Sequence, residues 1–499
     1  MKGGDYMSEQ LPMKADAYMD VMKTQFNDSP DLIQKVFHIK GQAIIVHFIS
    51  YQVKRERLER DLLENITNSQ KRWTNEGLIN KIPLSSTEKQ SSLEQITTKL
   101  IHGSVAVYIE GEKEAVLFAL PQQDHRSLNR AETESLVFGP QVSFTESLIT
   151  NLNVVRWRLD TDDLVVEKLI VGERIQSEVR IVYLKSLAND ENVETMRQRI
   201  KDLKVAEVED TSVLGQLIED STSSVFPQLI FTELPDRFCN SVSKGRVGVM
   251  VDKSPTMLIG PMTLFSFFES TEDLYMRWNM GSFIRLLRFL AMALSIVLTP
   301  MYVAALTFHY EIIPSTLLVS LGQSRSTVPF PPVIEALLLE VLIELLREAG
   351  ARLPTKVGQT MGIVGGIVLG QAAVKAGFTS NILIIIIALS ALASFTAPSY
   401  LMGTAVRIIR FPMIILAGAW GLIGIVFALS FLIIHLLKQK SLGRPYLAPI
   451  YPFQWKDFND SIFRLPFKKN NYRPLNVMPK DTERYSKAKA SERKDVDPS

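Results

Sequence analysis

Four glutamates fall in one stretch, VIEALLLEVLIELLREA at residues 333–349: Glu335, Glu340, Glu344 and Glu348. The last three are spaced i, i+4, i+8 and so share one face of a helix. Proline precedes them at 329, 331 and 332, a good helix start. Four carboxylates with Arg347 argue against a face turned to lipid and for an amphipathic helix that lies at an interface or lines a bundle. Just beyond lies VGQTMGIVGGIVLGQAAVKAG, with Gly358, Gly362, Gly366 and Gly370 every fourth residue. Glycines so spaced let helix backbones approach closely. The same helix carries Met361, Ile363, Val364 and Val368, with Gln359 and Gln371 near its ends and Lys375 beyond. Packed around a symmetry axis, those apolar side chains would form a ring that closes a pore by dewetting. Packing within one subunit, or contact with lipid, remains open from spacing alone.

Other chemistry finds no carrier. The chain has no phosphate-binding glycine loop with its lysine, no G-x-S-x-G and no H-E-x-x-H. Its six histidines have no metal-ligand spacing, so no metal, cofactor or enzymatic activity is expected. A net charge of +2 gives no reason to expect nucleic acid. Cys239 is the single cysteine, which rules out an intrachain disulfide and is expected to be a small buried side chain.

These stretches need elements to hold them. An apolar fraction of 46% is ordinary, but it is unevenly spread: residues 1–280 are mixed and charged, and the next 160 hold nearly all the long apolar runs. Residues 1–30 are polar and read as a loose arm. Strands are expected at 42–51 (QAIIVHFISY), 104–110 and 114–120, with helices at 55–66 and 91–101. Residues 122–134 look like a linker. A helix at 143–159, strands at 164–171 and 178–184, helices at 191–203 and 213–220, and strands at 229–231, 246–251 and 255–259 follow. The expected fold is an α/β N-terminal region of two subdomains, residues 1–125 and 126–280, followed by an all-α transmembrane bundle at 281–440 and a basic tail at 441–499. Apolar runs at 283–308, 357–376, 382–398 and 411–437 are the candidate spans, with Tyr275 and Trp278 as interfacial anchors. The opening MKGGDYMSEQ has no apolar core, so the front half is expected to stay in the cytoplasm. From Lys438 onward there are 14 Lys/Arg against 7 Asp/Glu, about +7, which also suits the cytoplasm and favours four crossings. Arg407 and Arg410 would then face outward; a fifth crossing at 333–349 would turn them inward and the tail outward.

Several blocks carry a family resemblance: FGPQVSFTESLITNLNVVRWRL (138–159), FPQLIFTELPDRF (226–238), KGRVGVMVDKSPTMLIGPMTLFSFFES (244–270), SFIRLLRFLAMALSIVLTPMYVAALTFHYEIIP (282–314), the two stretches across 329–377, and GRPYLAPIYP (443–452). In this order and spacing they resemble the A subunits of the GerA family of spore germination receptors. Glu233, Asp236 and Arg237 match the family pattern and imply a subunit or domain contact. Trp157, in Val155-Arg-Trp-Arg158, stands where more arginines are usual. The resemblance implies a multi-pass protein of the spore inner membrane that acts with a transporter-like B subunit and a lipoprotein C subunit. It implies a homo-oligomeric, nutrient-gated ion path; a non-conducting scaffold and a secondary transporter are the alternatives. Internal repeats with paired broken helices, which a transporter would show, are not found in the sequence.

Overall fold

The computed structural model describes residues 11–69, 71–122, 131, 134, 138–352, 370–466 and 470–484. It divides into two compact units: residues 1–219, 229–262 and 471–499, and residues 220–228 and 263–470.

The first unit holds two five-stranded antiparallel sheets. β1 (Leu32–Ile39), β2 (Gln42–Ile49), β3 (Thr87–Gln90), β4 (Ser104–Ile109) and β5 (Ala115–Ala119) take the order β1-β2-β4-β5-β3. β6 (Leu164–Val171), β7 (Ser177–Leu184), β8 (Ile230–Thr232), β9 (Val247–Val251) and β10 (Met257–Gly260) take the order β6-β7-β9-β10-β8. The two orders are the same, offset by five strands. The helices repeat as well. One precedes each first hairpin (Ala15–Gln25; Leu148–Arg158), and one lies between third and fourth strands (Leu93–Ile101; Pro235–Ser243). Helical segments fill the gap between second and third strands in both halves.

Local detail repeats too. Gly103 and Gly245 both follow the last helix with φ of 83° and 87°, where a side chain would be strained. After them, Val105, Val107 and Ile109 match Val247, Val249 and Val251 in register. The amide of Ser50 donates to the Asp31 carbonyl just as that of Lys185 donates to Asp163. Each central strand is buried on both faces, which is why 104–109 and 247–251 read as near-continuous apolar runs. Gly248 is required where it is: a Cβ there would lie 2.2 Å from the Phe238 ring.

Two expectations need correction. Residues 15–25 are a helix, not a loose arm, because Tyr18 and Met22 are fully buried and Tyr18 stacks on Tyr108 at 4.1 Å. The helix Pro235–Ser243, with proline at its start, stands where the sequence pattern predicts no element.

The second unit is helical. Its first apolar helix is Trp278–Thr307, followed by Ser315–Arg325, the acidic helix Pro332–Arg352, Asn381–Ser394 and Tyr400–Lys438. They share a core that includes Val303, Ala336, Leu339, Leu383, Ile414 and Ala417. The last helix corrects the single run expected at 411–437. Gly421 has φ 60° and ψ −138°, outside any helix. A Cβ on Gly424 would lie 2.0 Å from the Leu416 carbonyl oxygen. In a continuous helix those residues stand about 12 Å apart along the axis. The rings of Trp420 and Phe427 likewise come to 6.5 Å. The chain therefore doubles back at Gly421 as a helical hairpin. The turn packs against Phe308 and His309, at the end of the first apolar helix. At the opposite end, Leu264 N donates to Tyr446 O at 2.8 Å, and the Ser282 hydroxyl donates to Arg464 O at 2.8 Å. The start of the first apolar helix and the end of the hairpin thus lie together.

Candidate functional site

The acidic helix runs antiparallel to the first arm of the hairpin. Glu344 pairs with Arg407 at 3.4 Å, Glu340 with Arg410 at 2.6 Å, and Val333 packs on Gly418. Glu340 and Arg410 each expose only 1% of their side chains. Around them, Thr299 donates to Glu340 Oε1 at 3.0 Å, and Arg410 Nη2 donates to Ser295 Oγ at 2.5 Å. Ser390 closes the cluster by donating to the Ser295 carbonyl at 3.0 Å. Four helices therefore meet on one buried ion pair. Such a pair is tolerated in an apolar interior only with its remaining lone pairs and protons hydrogen-bonded.

From there the helix grades outward. Glu344 is 30% exposed, held by Arg407 and by Arg347 at 3.3 Å; Arg347 also reaches Ser394 at 3.1 Å and lies over the Phe395 ring. Glu348, 59% exposed, pairs with Arg352 at 2.6 Å. At the other end Glu335 is buried; its Oε1 accepts from Thr379 Oγ1 at 2.9 Å and from Ser380 N at 2.6 Å, with Arg325 at 3.6 Å. The four predicted glutamates thus form a row, buried at one end and solvated at the other. Their arginine partners were the missing half of the sequence reading. Arg407 and Arg410 are paired with glutamates inside the protein, so they carry no vote on which side of a membrane they face. The spacing of Glu340 and Glu344 against Arg407 and Arg410 was the available signal.

Of the gate candidates, Gln359, Met361, Ile363, Val364 and Val368 lie outside the described residues, as do Gly358, Gly362 and Gly366. Gln371 and Gly370 are described. With Val374, Lys375, Asn381, Ile384 and Ile385 they line an open cleft of about 690 Å³. Among the described residues, nothing lies within 4 Å of where a Cβ on Gly370 would stand.

The first unit has its own buried charge. Arg156, fully enclosed, pairs with Asp31, and it also donates to the Leu164 and Thr161 carbonyls at 3.2 Å and to the Tyr51 hydroxyl at 3.3 Å. Asp31 accepts in addition from Ser29 and Tyr51, each at 2.5 Å. Asp31 leads into β1 and Leu164 begins β6, so one guanidinium ties the two sheets together. Arg158 pairs with Asp236, and Arg237 with Glu134. Those family-pattern residues therefore make contacts within the unit. A cavity of about 680 Å³ opens beside Tyr51 and Leu152, with Lys35, Arg55, Lys168 and Arg180 facing Glu59, Glu178 and Asp252. Burial pushes the Cys239 thiol up to about 12, which leaves it protonated and inert.

The model of the Bacillus/Clostridium GerA spore germination protein matches residues 20–476. The chain belongs to the GerA family. Spore germination protein GerQA of Bacillus cereus is 47% identical over 395 residues, 79% of this chain and 79% of that protein. Spore germination protein GerIA of Bacillus cereus is 39% identical over 477 residues, 93% of this chain and 71% of that one. Among solved structures, the N-terminal domain of the A subunit of the Bacillus megaterium spore germinant receptor GerK3 matches with a TM-score of 0.40 at 23% identity, over 51% of this chain and 96% of that domain. Among the described residues, Trp278–Thr307 and the stretch Tyr400–Lys438, which the hairpin folds into two arms, are long and apolar enough to cross a membrane, and Asn381–Ser394 is a shorter apolar helix. This GerA-family chain therefore joins two α/β sheets to apolar helices that hold a row of paired charges.

Proposed function

We propose that this chain is the A-type subunit of a nutrient-responsive germination receptor of the spore inner membrane. Residues 1–125 and 126–280 form its cytoplasmic α/β part, residues 281–440 its transmembrane bundle, and 441–499 a basic tail. It assembles with copies of itself and with a transporter-like B subunit and a lipoprotein C subunit, and nutrient binding opens an ion path through the assembly. The helix of Gly358, Gly362, Gly366 and Gly370 packs against its symmetry mates. Val364, with Met361, Ile363 and Val368, closes the path, and Gln359 and Gln371 flank that gate.

The observation that carries the membrane reading is the pair of long apolar segments, Trp278–Thr307 and Tyr400–Lys438. Beside them, arginines from other helices hold the buried glutamates of 332–352. A common side of the membrane for both ends is supported by the compact unit that contains residues 1–219 together with 471–499. Asn192 Nδ2 donates to Val477 O at 2.8 Å, and Lys480 pairs with Asp190 at 2.7 Å. Chain ends that fold together require an even number of crossings.

The test is ion release from spores carrying Val364→Ala, with partner subunits present and nutrient absent. Leakage, or germination without nutrient, is expected. Normal retention at normal protein level would sink the gate and favour a non-conducting scaffold.

A further inference from the structure

We infer that the segment 450–458 is a bilayer-interface anchor: a rigid aromatic platform that docks into lipid headgroups beside the ends of the apolar helices. The inference rests on the membrane reading above and adds a lipid-contacting surface outside the spans.

Tyr451, Phe453 and Trp455 are 59%, 67% and 73% exposed, which is unusual for neighbouring large rings. Phe453, Trp455 and Phe458 form one cluster, with ring centroids 5.5–6.1 Å apart. The backbone beneath them is fixed. Tyr451 N donates to Leu447 O at 3.2 Å, Gln454 N to Pro449 O at 3.0 Å, and Asp457 N to Gln454 O at 3.1 Å. Asp457, Ser461 and Arg464 are buried. Arg464 reaches the Leu274 and Met276 carbonyls, and Arg285 reaches the Ser461 carbonyl at 3.4 Å. The platform is therefore stitched to the entrance of the first apolar helix. It is also reached by a short antiparallel pair, Lys440–Ser441 with Arg444–Pro445, directly after the hairpin ends at Lys438.

Two observations name the occupant as lipid. The exposed aromatics continue from the platform onto the helix entrance, where Tyr275, Trp278 and Phe283 are also open. Exposed cations, Arg277, Lys438 and Lys440, stand at the same end. Trp and Tyr at the headgroup level, with Lys and Arg reaching phosphates, is the chemistry of a bilayer interface, where one side of a ring is apolar and the other wet. Rings held on a rigid base also lose little entropy when lipid covers them.

The test uses the full-length chain reconstituted into phosphatidylcholine vesicles containing phosphatidylglycerol. A nitroxide is placed on Phe453→Cys, on Phe431→Cys (80% exposed in the second hairpin arm) and on Glu76→Cys in the α/β unit. Cys239 is buried and does not take the label. Collision with oxygen, which concentrates in lipid, is compared with collision with a water-soluble nickel complex. At 453 the oxygen-to-nickel ratio should rise several-fold over that at Glu76 and stay below that at Phe431. A lipid signal at 431 with a water-like signal at 453 overturns the anchor and leaves the membrane reading standing. A water-like signal at both removes the membrane reading and the anchor with it. A label at 453 shielded from both reagents would place a protein surface there and also overturn the proposal.

Discussion

Replacing Arg156 by methionine should loosen the two sheets of the α/β unit from each other. The guanidinium makes one ion pair and three further hydrogen bonds, all enclosed. Removing one partner of a buried pair costs about 3–5 kcal/mol, mostly because the other charge stays behind. Here the loss is cushioned: Asp31 keeps its bonds from Ser29 and Tyr51, which points to the lower end of that range. Asp31→Ala strands a guanidinium that retains only the tyrosine hydroxyl and two carbonyls, and belongs at the upper end. The double variant should cost less than the sum of the two, because neither leaves a charge unmatched. Hydrogen exchange read by mass spectrometry localises the effect. A loss of about 3 kcal/mol in local opening speeds exchange roughly 100-fold, and peptides covering β1 and β6 should show it first. Exchange in those peptides unchanged within a few-fold in both single variants would refute the view that this pair joins the sheets.

Three further outcomes are expected. In the helical unit, Arg410→Met and Glu340→Gln should each lower the yield of folded protein in detergent, because each leaves one charge of a buried pair behind. Joining the two should recover part of the loss, and strictly additive losses would contradict a coupled pair. Gly421→Ala should cost about 1–3 kcal/mol, since φ is 60° and the new Cβ would meet His309 Nε2 at 2.8 Å; an unchanged melting temperature would argue for one straight helix through 421. His47 is buried between Tyr18 and Gln34, and burial lowers its pKa to about 4 from 6.5. The unfolded chain takes up that proton first, so stability is full above about pH 6.5 and falls by roughly 3 kcal/mol in total as pH drops toward 4. His47→Gln should flatten that part of the pH profile, and a profile identical to wild type would show the ring is not the titrating group.

Much of this was legible in the sequence where pattern and burial coincide. The central strands are apolar on both faces, so 42–49, 104–109 and 247–251 could be read directly. β1, LIQKVFHI, could not: it is an edge strand with no residue fully buried, and its polar residues hide the period. The helix 15–25 was hidden by low overall hydropathy, although Tyr18, Met22 and Phe26 fall at i, i+4, i+8 and all are buried. Hydropathy also cannot see direction. The run through 411–437 is apolar on both arms of a hairpin, and only the glycines at 418, 421 and 424 marked the reversal. For the acidic helix, composition marked the carboxylates but not their partners. Those depend on which helices lie side by side, and the similar spacing of Glu340 and Glu344 against Arg407 and Arg410 is only an indirect sign of it.

The matching strand orders of the two sheets bear on origin. Two topologies this alike in one chain are the pattern that doubling and fusing one gene would leave. The ancestral product would then have been a half-length polypeptide that met its own twin. In that ancestor, the contact now made by Arg156 with Asp31 would have crossed between separate molecules. Fusion would have made the association permanent and freed each half to drift, leaving agreement at positions such as Gly103 and Gly245. On that history, residues 11–122 and 138–262 made as separate polypeptides should still find each other in a fragment-complementation assay, and should stop doing so when Asp31 is replaced.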